Sequence, residues 1–105
     1  MERLSFTLDA PDTARGSRSQ ALIGVVASGN LEVLLERSQP ARICKIEIST
    51  AAHGFGEVWE AVLRDFVSEH AAGGLHISIN DGGARPDTVA LRLAQGVRMI
   101  EGDGQ

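Results

Sequence analysis

A chain of 105 residues, 43% of them hydrophobic and only one a cysteine, is the size of one domain, since a domain usually takes roughly 100–200 residues. It holds enough apolar material to close a core without disulfides. The formal charge of −4 repels phosphate backbones, and three Phe, one Trp and no Tyr leave nothing for stacking on single strands, so nucleic acid is excluded as a partner. No apolar run approaches the roughly 20 residues that span a bilayer, and no leader pattern opens the chain. The expectation is one cytoplasmic domain over residues 1–105, with a frayed tail at about 102–105 and no membrane partner.

In chain order, Leu4, Phe6 and Leu8 alternate with Ser5, Thr7 and Asp9, the period of a half-buried strand. Residues 10–18 collect Pro, Asp, Thr, Gly and Ser and predict a loop. Alternation resumes over Ala21, Ile23, Val25 and Ala27 and, past Ser28-Gly29-Asn30, over Leu31, Val33 and Leu35. Gly29 and Asn30 tolerate the positive φ of a tight primed turn, so the pair of runs predicts a hairpin. A further strand puts Cys44, Ile46, Ile48 and Thr50 on one face and Lys45, Glu47 and Ser49 on the other.

Apolar residues spaced by three and four, Phe55, Val58, Trp59, Val62, Leu63, Phe66 and Val67, predict an amphipathic helix broken by Gly73-Gly74. Leu75, Ile77 and Ile79 form another strand, ended by a turn at Asp81-Gly82-Gly83. Pro86 opens a second helix bearing Val89, Leu93, Val97 and Ile100, weakened by Gly96 and with Leu91 off the stripe. The fold class is therefore α+β, a single domain with a mostly antiparallel sheet of about four to five strands and two helices packed on one face.

Catalytic patterns are scarce. His53, His70 and His76 have no metal-ligand spacing to one another or to Cys44, so no metal is expected. Cys44 shares a face with Ile46 and Ile48 and reads as a small core residue. Gly73-Gly74 and Gly82-Gly83 lack the residues that complete a phosphate loop or a dinucleotide fingerprint, and Glu60 with Arg64 forms a helix-surface pair. Ser28, beside Gly29 in the hairpin turn, stands where a modifying enzyme could reach its hydroxyl. Taken alone, it is an ordinary turn serine.

The run Gly24-Val25-Val26-Ala27-Ser28-Gly29-Asn30-Leu31-Glu32-Val33-Leu34 resembles the hairpin of the acyl carrier (delta) subunits of biotin-independent malonate decarboxylases. The resemblance continues through Cys44 to Thr50, the stretch around Trp59, and Asp81-Gly82-Gly83-Ala84-Arg85-Pro86 followed by a helix with Arg92. The citrate lyase acyl carrier is similar at greater distance. Asn30 stands where the family often has Asp, and the Asp-Ser-Leu motif of four-helix carriers is missing.

The resemblance implies that Ser28 carries 2′-(5″-phosphoribosyl)-3′-dephospho-CoA through a phosphodiester, with Gly29 and Asn30 shaping the turn. It further implies that the thiol of that arm holds acetyl and malonyl while malonate becomes acetate and CO2. The partners implied are acyl transferase and decarboxylase subunits and a prosthetic-group transferase, with no catalytic residue in the carrier. The rival readings are an interaction module without cofactor and a small enzyme using His76 or Cys44.

Overall fold

The computed structural model describes residues 1–24 and 31–102. Among these residues, five strands, β1 (Glu2–Asp9), β2 (Gln20–Ile23), β3 (Leu31–Arg37), β4 (Ile43–Thr50) and β5 (Leu75–Asp81), and two helices, α1 (Gly56–Glu69) and α2 (Pro86–Glu101), follow the order β1-β2-β3-β4-α1-β5-α2. Across the sheet the strands run β1-β4-β5-β3-β2. Every neighbouring pair is antiparallel except β4 and β5, so the α+β class and the mostly antiparallel sheet are as expected. The parallel pair needs a crossover, and α1 supplies it. Its 14 residues cover about 21 Å at 1.5 Å per residue, close to the roughly 26 Å of the strand it returns along.

The register explains why alternation in separate segments yields one core. Ile46 pairs with Phe6 on one side and Ile77 on the other, Ile77 with Leu35, and Leu35 with Ala21. A parallel row joins Leu4, Ile48, Ile79, Val33 and Ile23. A slip of one residue in any strand would turn its apolar set to water. Both helices cover this face: α1 buries Trp59, Leu63, Phe66 and Val67, and α2 buries Val89, Leu93, Val97 and Ile100, in one cluster with the strands. The opposite face carries Ser5, Thr7, Lys45, Glu47, His76 and Ser78 and is left to solvent.

Several boundaries differ from the sequence expectation, each for a local reason. β2 runs to Ile23, and Gly24 takes φ 78°, where a Cβ would collide with the Leu31 carbonyl; Val25 and Ala27, the rest of the expected run, lie outside the described residues. Ser28, Gly29 and Asn30, and with them the expected tight turn, lie outside the described residues. Helix α1 ends at Glu69, with His70 extended, four residues before Gly73. Phe55 and Val58 are not on its buried stripe: Phe55 is the N-cap and both are solvent-exposed.

Gly96, expected to weaken α2, has a packing reason. An ideal Cβ on it would sit 2.5 Å from Leu35 Cδ1, so the glycine lets α2 lie directly on β3. Gly102, placed in the tail from sequence, is the left-handed C-cap of α2, and its N–H donates to the Arg98 and Met99 carbonyls. Residues 103–105 lie outside the described residues.

One organiser had no sequence signal. Arg37, the last residue of β3, donates from Nε to the Arg18 carbonyl (2.6 Å), from Nη1 to Ala14 (2.9 Å), and from Nη2 to Ile100 (3.1 Å) and to Arg15. This guanidinium ties the 10–18 loop and the end of α2 to the sheet.

Candidate functional site

The site is built where β4 and β5 end and β3 begins. Thr50, Asp81 and Leu31 are register partners across β4, β5 and β3. Thr50 is fully buried and Asp81 is 5% exposed. A buried carboxylate persists only where its oxygens are matched by donors. Thr50 Oγ1 donates to Asp81 Oδ2 at 2.7 Å, and the Ala84 N–H donates to Asp81 Oδ1 at 2.7 Å. The Thr50 hydroxyl in turn accepts from the Ala52 N–H at 3.1 Å, and the Ala51 N–H donates to the Asp81 carbonyl at 2.9 Å. Asp81 thus pins the loop after β4 and the loop before α2 to each other, with both carboxylate oxygens engaged.

From the sequence this residue reads as part of an Asp-Gly-Gly turn. The available signal was Thr50, on the same face as Cys44, Ile46 and Ile48: a hydroxyl buried there requires a partner.

Beside this brace α1 and α2 leave an apolar cleft of about 300 Å³ lined by Phe55, Val58, Trp59, Ala84, Pro86 and Val89. The other side of the same end is where the described chain leaves β2 at Gly24 and enters β3 at Leu31. Arg92 of α2 reaches there. Its Nε lies 3.6 Å from the position of a Cβ on Gly24, is shielded from solvent, and has no acceptor among the described residues.

The residues favoured by an enzyme reading are not brought together. Cys44 is fully buried on the core face of β4, and loss of solvent pushes its thiol up to about 12, so it is a core residue and not a nucleophile. His76 is on the open face of the sheet, with Nε2 2.9 Å from Glu47 Oε1 and Nδ1 3.7 Å from Glu36 Oε1. His53 is exposed in the loop after β4, and His70 caps α1 against Phe66. No group of three metal-type ligands occurs among the described residues. Glu60 and Arg64 form the expected surface pair at 2.9 Å. No helix among the described residues is long and apolar enough to cross a membrane.

Fold and site define a class of small mixed-sheet α+β domains. A chain of this class occurs in the crystal structure of a Pseudomonas malonate decarboxylase hetero-tetramer in complex with malonate, with a TM-score of 0.81, 40% sequence identity, and cover of 95% of this chain and 99% of that one. The family model for the malonate decarboxylase delta subunit (MdcD) matches residues 18–100. Relatives described as malonate decarboxylase acyl carrier proteins include one from Bradyrhizobium diazoefficiens, 61% identical over the whole of both chains. Those from Xanthomonas campestris (strain B100), 51% identical with 97% of each chain covered, and Acinetobacter calcoaceticus, 42% identical with 98% of this chain and 100% of that one covered, agree. The chain belongs to the malonate decarboxylase acyl carrier (delta subunit) family. The resemblance carried by the Ser28 run and the Asp81–Pro86 loop is borne out at the level of the family.

Proposed function

We propose that this chain works as the acyl carrier of a cytoplasmic malonate decarboxylase, with Ser28 bearing 2′-(5″-phosphoribosyl)-3′-dephospho-CoA through a phosphodiester. The observation that carries the reading is identity of 61% to an acyl carrier protein over the full length of both chains. The ends of β2 and β3 support it. Two residues separate Ser28 from Leu31, the register partner of Asp81, so chain length alone keeps its Cα within about 11 Å of Leu31. The unmatched Arg92 Nε at this end of the sheet fits an anionic group there.

When bound, the group supplies a terminal thiol that can hold an acyl group as a thioester. This chain's residues do the holding. Ser28 provides the attachment oxygen, Gly29 and Asn30 the turn, and the Leu31–Asp81 and Asp81–Thr50 pairings a fixed base. A fixed base leaves reach to the arm, and tethering turns encounters between acyl group and partner active sites into local ones of high effective concentration. The partners in this reading are the acyl transferase and decarboxylase subunits and the prosthetic-group transferase. The carrier itself is non-catalytic.

The test is intact-mass spectrometry with fragmentation on chain made together with the prosthetic-group synthase and transferase. An adduct of the expected mass on Ser28, absent in Ser28→Ala, supports the reading, and the Ser28→Ala chain should fold normally yet give no turnover in the assembled complex. An unmodified chain beside demonstrably active modifying enzymes refutes it and favours a cofactor-free interaction module.

A further inference from the structure

The two edges of the sheet are unlike. β2 offers four residues and α2 leans on it. β1 offers eight residues in unbroken antiparallel register with β4, with neither bulge nor proline. No strand among the described residues lies on its far side. Folds usually blunt an edge of that length with a proline, a bulge or a covering segment.

The register decides which backbone groups β1 leaves open. The Ala10 N–H donates to the Arg42 carbonyl at 2.8 Å, in step with the pairing of Leu8 with Cys44 and of Phe6 with Ile46. Neighbouring residues of a strand turn their amides to opposite edges. The N–H and carbonyl groups of Arg3, Ser5, Thr7 and Asp9 therefore point away from the sheet, and none of them bonds another segment's backbone among the described residues. The side chains of these four are exposed, while Leu4 and Phe6, which pack against the core from the other face, are only half-buried. Neither Arg3 nor Asp9 has an ion-pair partner among the described residues.

Such an edge is complementary to itself. A two-fold axis beside Phe6 lays β1 of a second copy antiparallel to the first, with Phe6 opposite Phe6, Leu4 opposite Leu8, Ser5 opposite Thr7 and Arg3 opposite Asp9. The open amides of Ser5 then meet those of Thr7, and those of Arg3 meet those of Asp9, each pairing occurring twice by symmetry. Apolar side chains meet on the core side, and opposite charges meet on the water side. An axis beside Ser5 sets Asp9 opposite Met1, and one beside Thr7 sets Arg3 opposite Pro11, both beyond the strand. A register shifted by a single residue sets core-facing side chains against water-facing ones.

We propose that β1 is a self-association edge, joining two copies of this chain across a two-fold axis at Phe6 into one continuous sheet. The contact closes on itself and does not propagate. One pair of strands is a small interface, below about 1,200 Å2, so the association is weak and follows concentration. Because Glu2 lies at the Thr50–Asp81 pole, the antiparallel pairing sends the two Asp81 poles to opposite ends, where neither obstructs the other. The pairing stands apart from the carrier reading, whose failure does not touch it.

The experiment is sedimentation velocity on the full chain from micromolar to millimolar concentration. The natural chain should pass from the mass of one copy to that of two. Arg3→Asp places like charges opposite each other twice, as does Asp9→Arg, and each should weaken self-association by about tenfold. An equal mixture of these two variants restores opposite charges at both positions and should associate as the natural chain does. Thr7→Pro removes an outward N–H that β4 does not use, a change an edge tolerates. That variant should keep its far-UV circular dichroism and stay single. In a mixture of labelled and unlabelled natural chain, a filtered NOE should join Leu4 Hα to Leu8 Hα of the second copy, the close approach of a non-hydrogen-bonded pair.

A chain that stays single at millimolar concentration overturns the proposal, which is also the outcome if β1 serves a strand of another protein. Association unchanged by the two charge reversals, or a mixture that associates no better than either variant alone, overturns it equally. Should Thr7→Pro fail to fold, the mixture of charge variants decides.

Discussion

Replacing Asp81 by Ala removes the acceptor of two hydrogen bonds in a place that water does not reach. The Thr50 hydroxyl and the Ala84 N–H, each 2.7 Å from a carboxylate oxygen, lose a charged acceptor. Bonds of that kind contribute about 1.5–3 kcal/mol apiece, while relief of the buried charge returns part of it. The expected net loss is about 3 kcal/mol. For a domain of this size, with about 4 °C per kcal/mol, the thermal midpoint should fall by about 12 °C. Urea unfolding measures the free energy directly, with an unchanged slope showing that the cooperative unit is the same. Thr50→Val removes one partner only and should cost about 1–2 kcal/mol. Because the two residues share a bond, the double variant should cost clearly less than the sum. An Asp81→Ala chain within about 0.5 kcal/mol of the natural one, the range of an ordinary surface change, would refute the brace.

Cys44 should give the protein an alkaline limit. Its thiol ionises near 9.0 when free of the fold and at about 12 within it, so the native state holds the proton more tightly. Its stabilisation is full below about 9 and declines as pH rises towards about 12. Urea midpoints across this range should fall with pH in the natural chain and less steeply in Cys44→Ala, and maleimide should label the thiol in urea but not in buffer. Gly96→Ala gains about 1 kcal/mol of helix propensity but drives a methyl to 2.5 Å of Leu35 Cδ1, a clash of about 1–3 kcal/mol. Thermal melts should show net loss, and gain instead in a Leu35→Ala background. Arg37→Met should strip the donors from four carbonyls and cost about 2 kcal/mol. Trypsin should then cut faster at Arg15 and Arg18, and Arg37→Lys should not restore protection, because an ammonium does not span the same fork.

The strands and helices were legible because burial imposes a period. Leu4-Phe6-Leu8, Leu31-Val33-Leu35, Cys44-Ile46-Ile48 and Leu75-Ile77-Ile79 each alternate, and Val89, Leu93, Val97 and Ile100 follow a helical stripe. Period two reveals a face and not a neighbour, so neither the order β1-β4-β5-β3-β2 nor the parallel β4–β5 pair followed from it. Gly24 and Gly96 were read as strand and helix positions, whereas their roles depend on Leu31 and Leu35 from other segments. Asp81 looked like a turn residue, because only tertiary structure brings Thr50 to it. Arg92 is one cation among ten Lys and Arg, and nothing local sets it apart. Ser28 drew its significance from family resemblance, since the chemistry of a turn serine is the same whether or not a transferase recognises it.

The parallel β4–β5 pair has a practical corollary for handling the protein. Because α1 returns the chain to start β5 alongside the start of β4, both strands finish at one pole, with Thr50 and Asp81 side by side. Glu2 pairs with Thr50, so the first residues emerge at that pole too. The end of α2 lies at the other, where Arg37 holds the Ile100 carbonyl and Gly16 abuts Glu101. An affinity tag or surface linker joined to Met1 would crowd the pole that holds Asp81 and Arg92. The last described residue, Gly102, caps α2 at the far pole, beside the clasp.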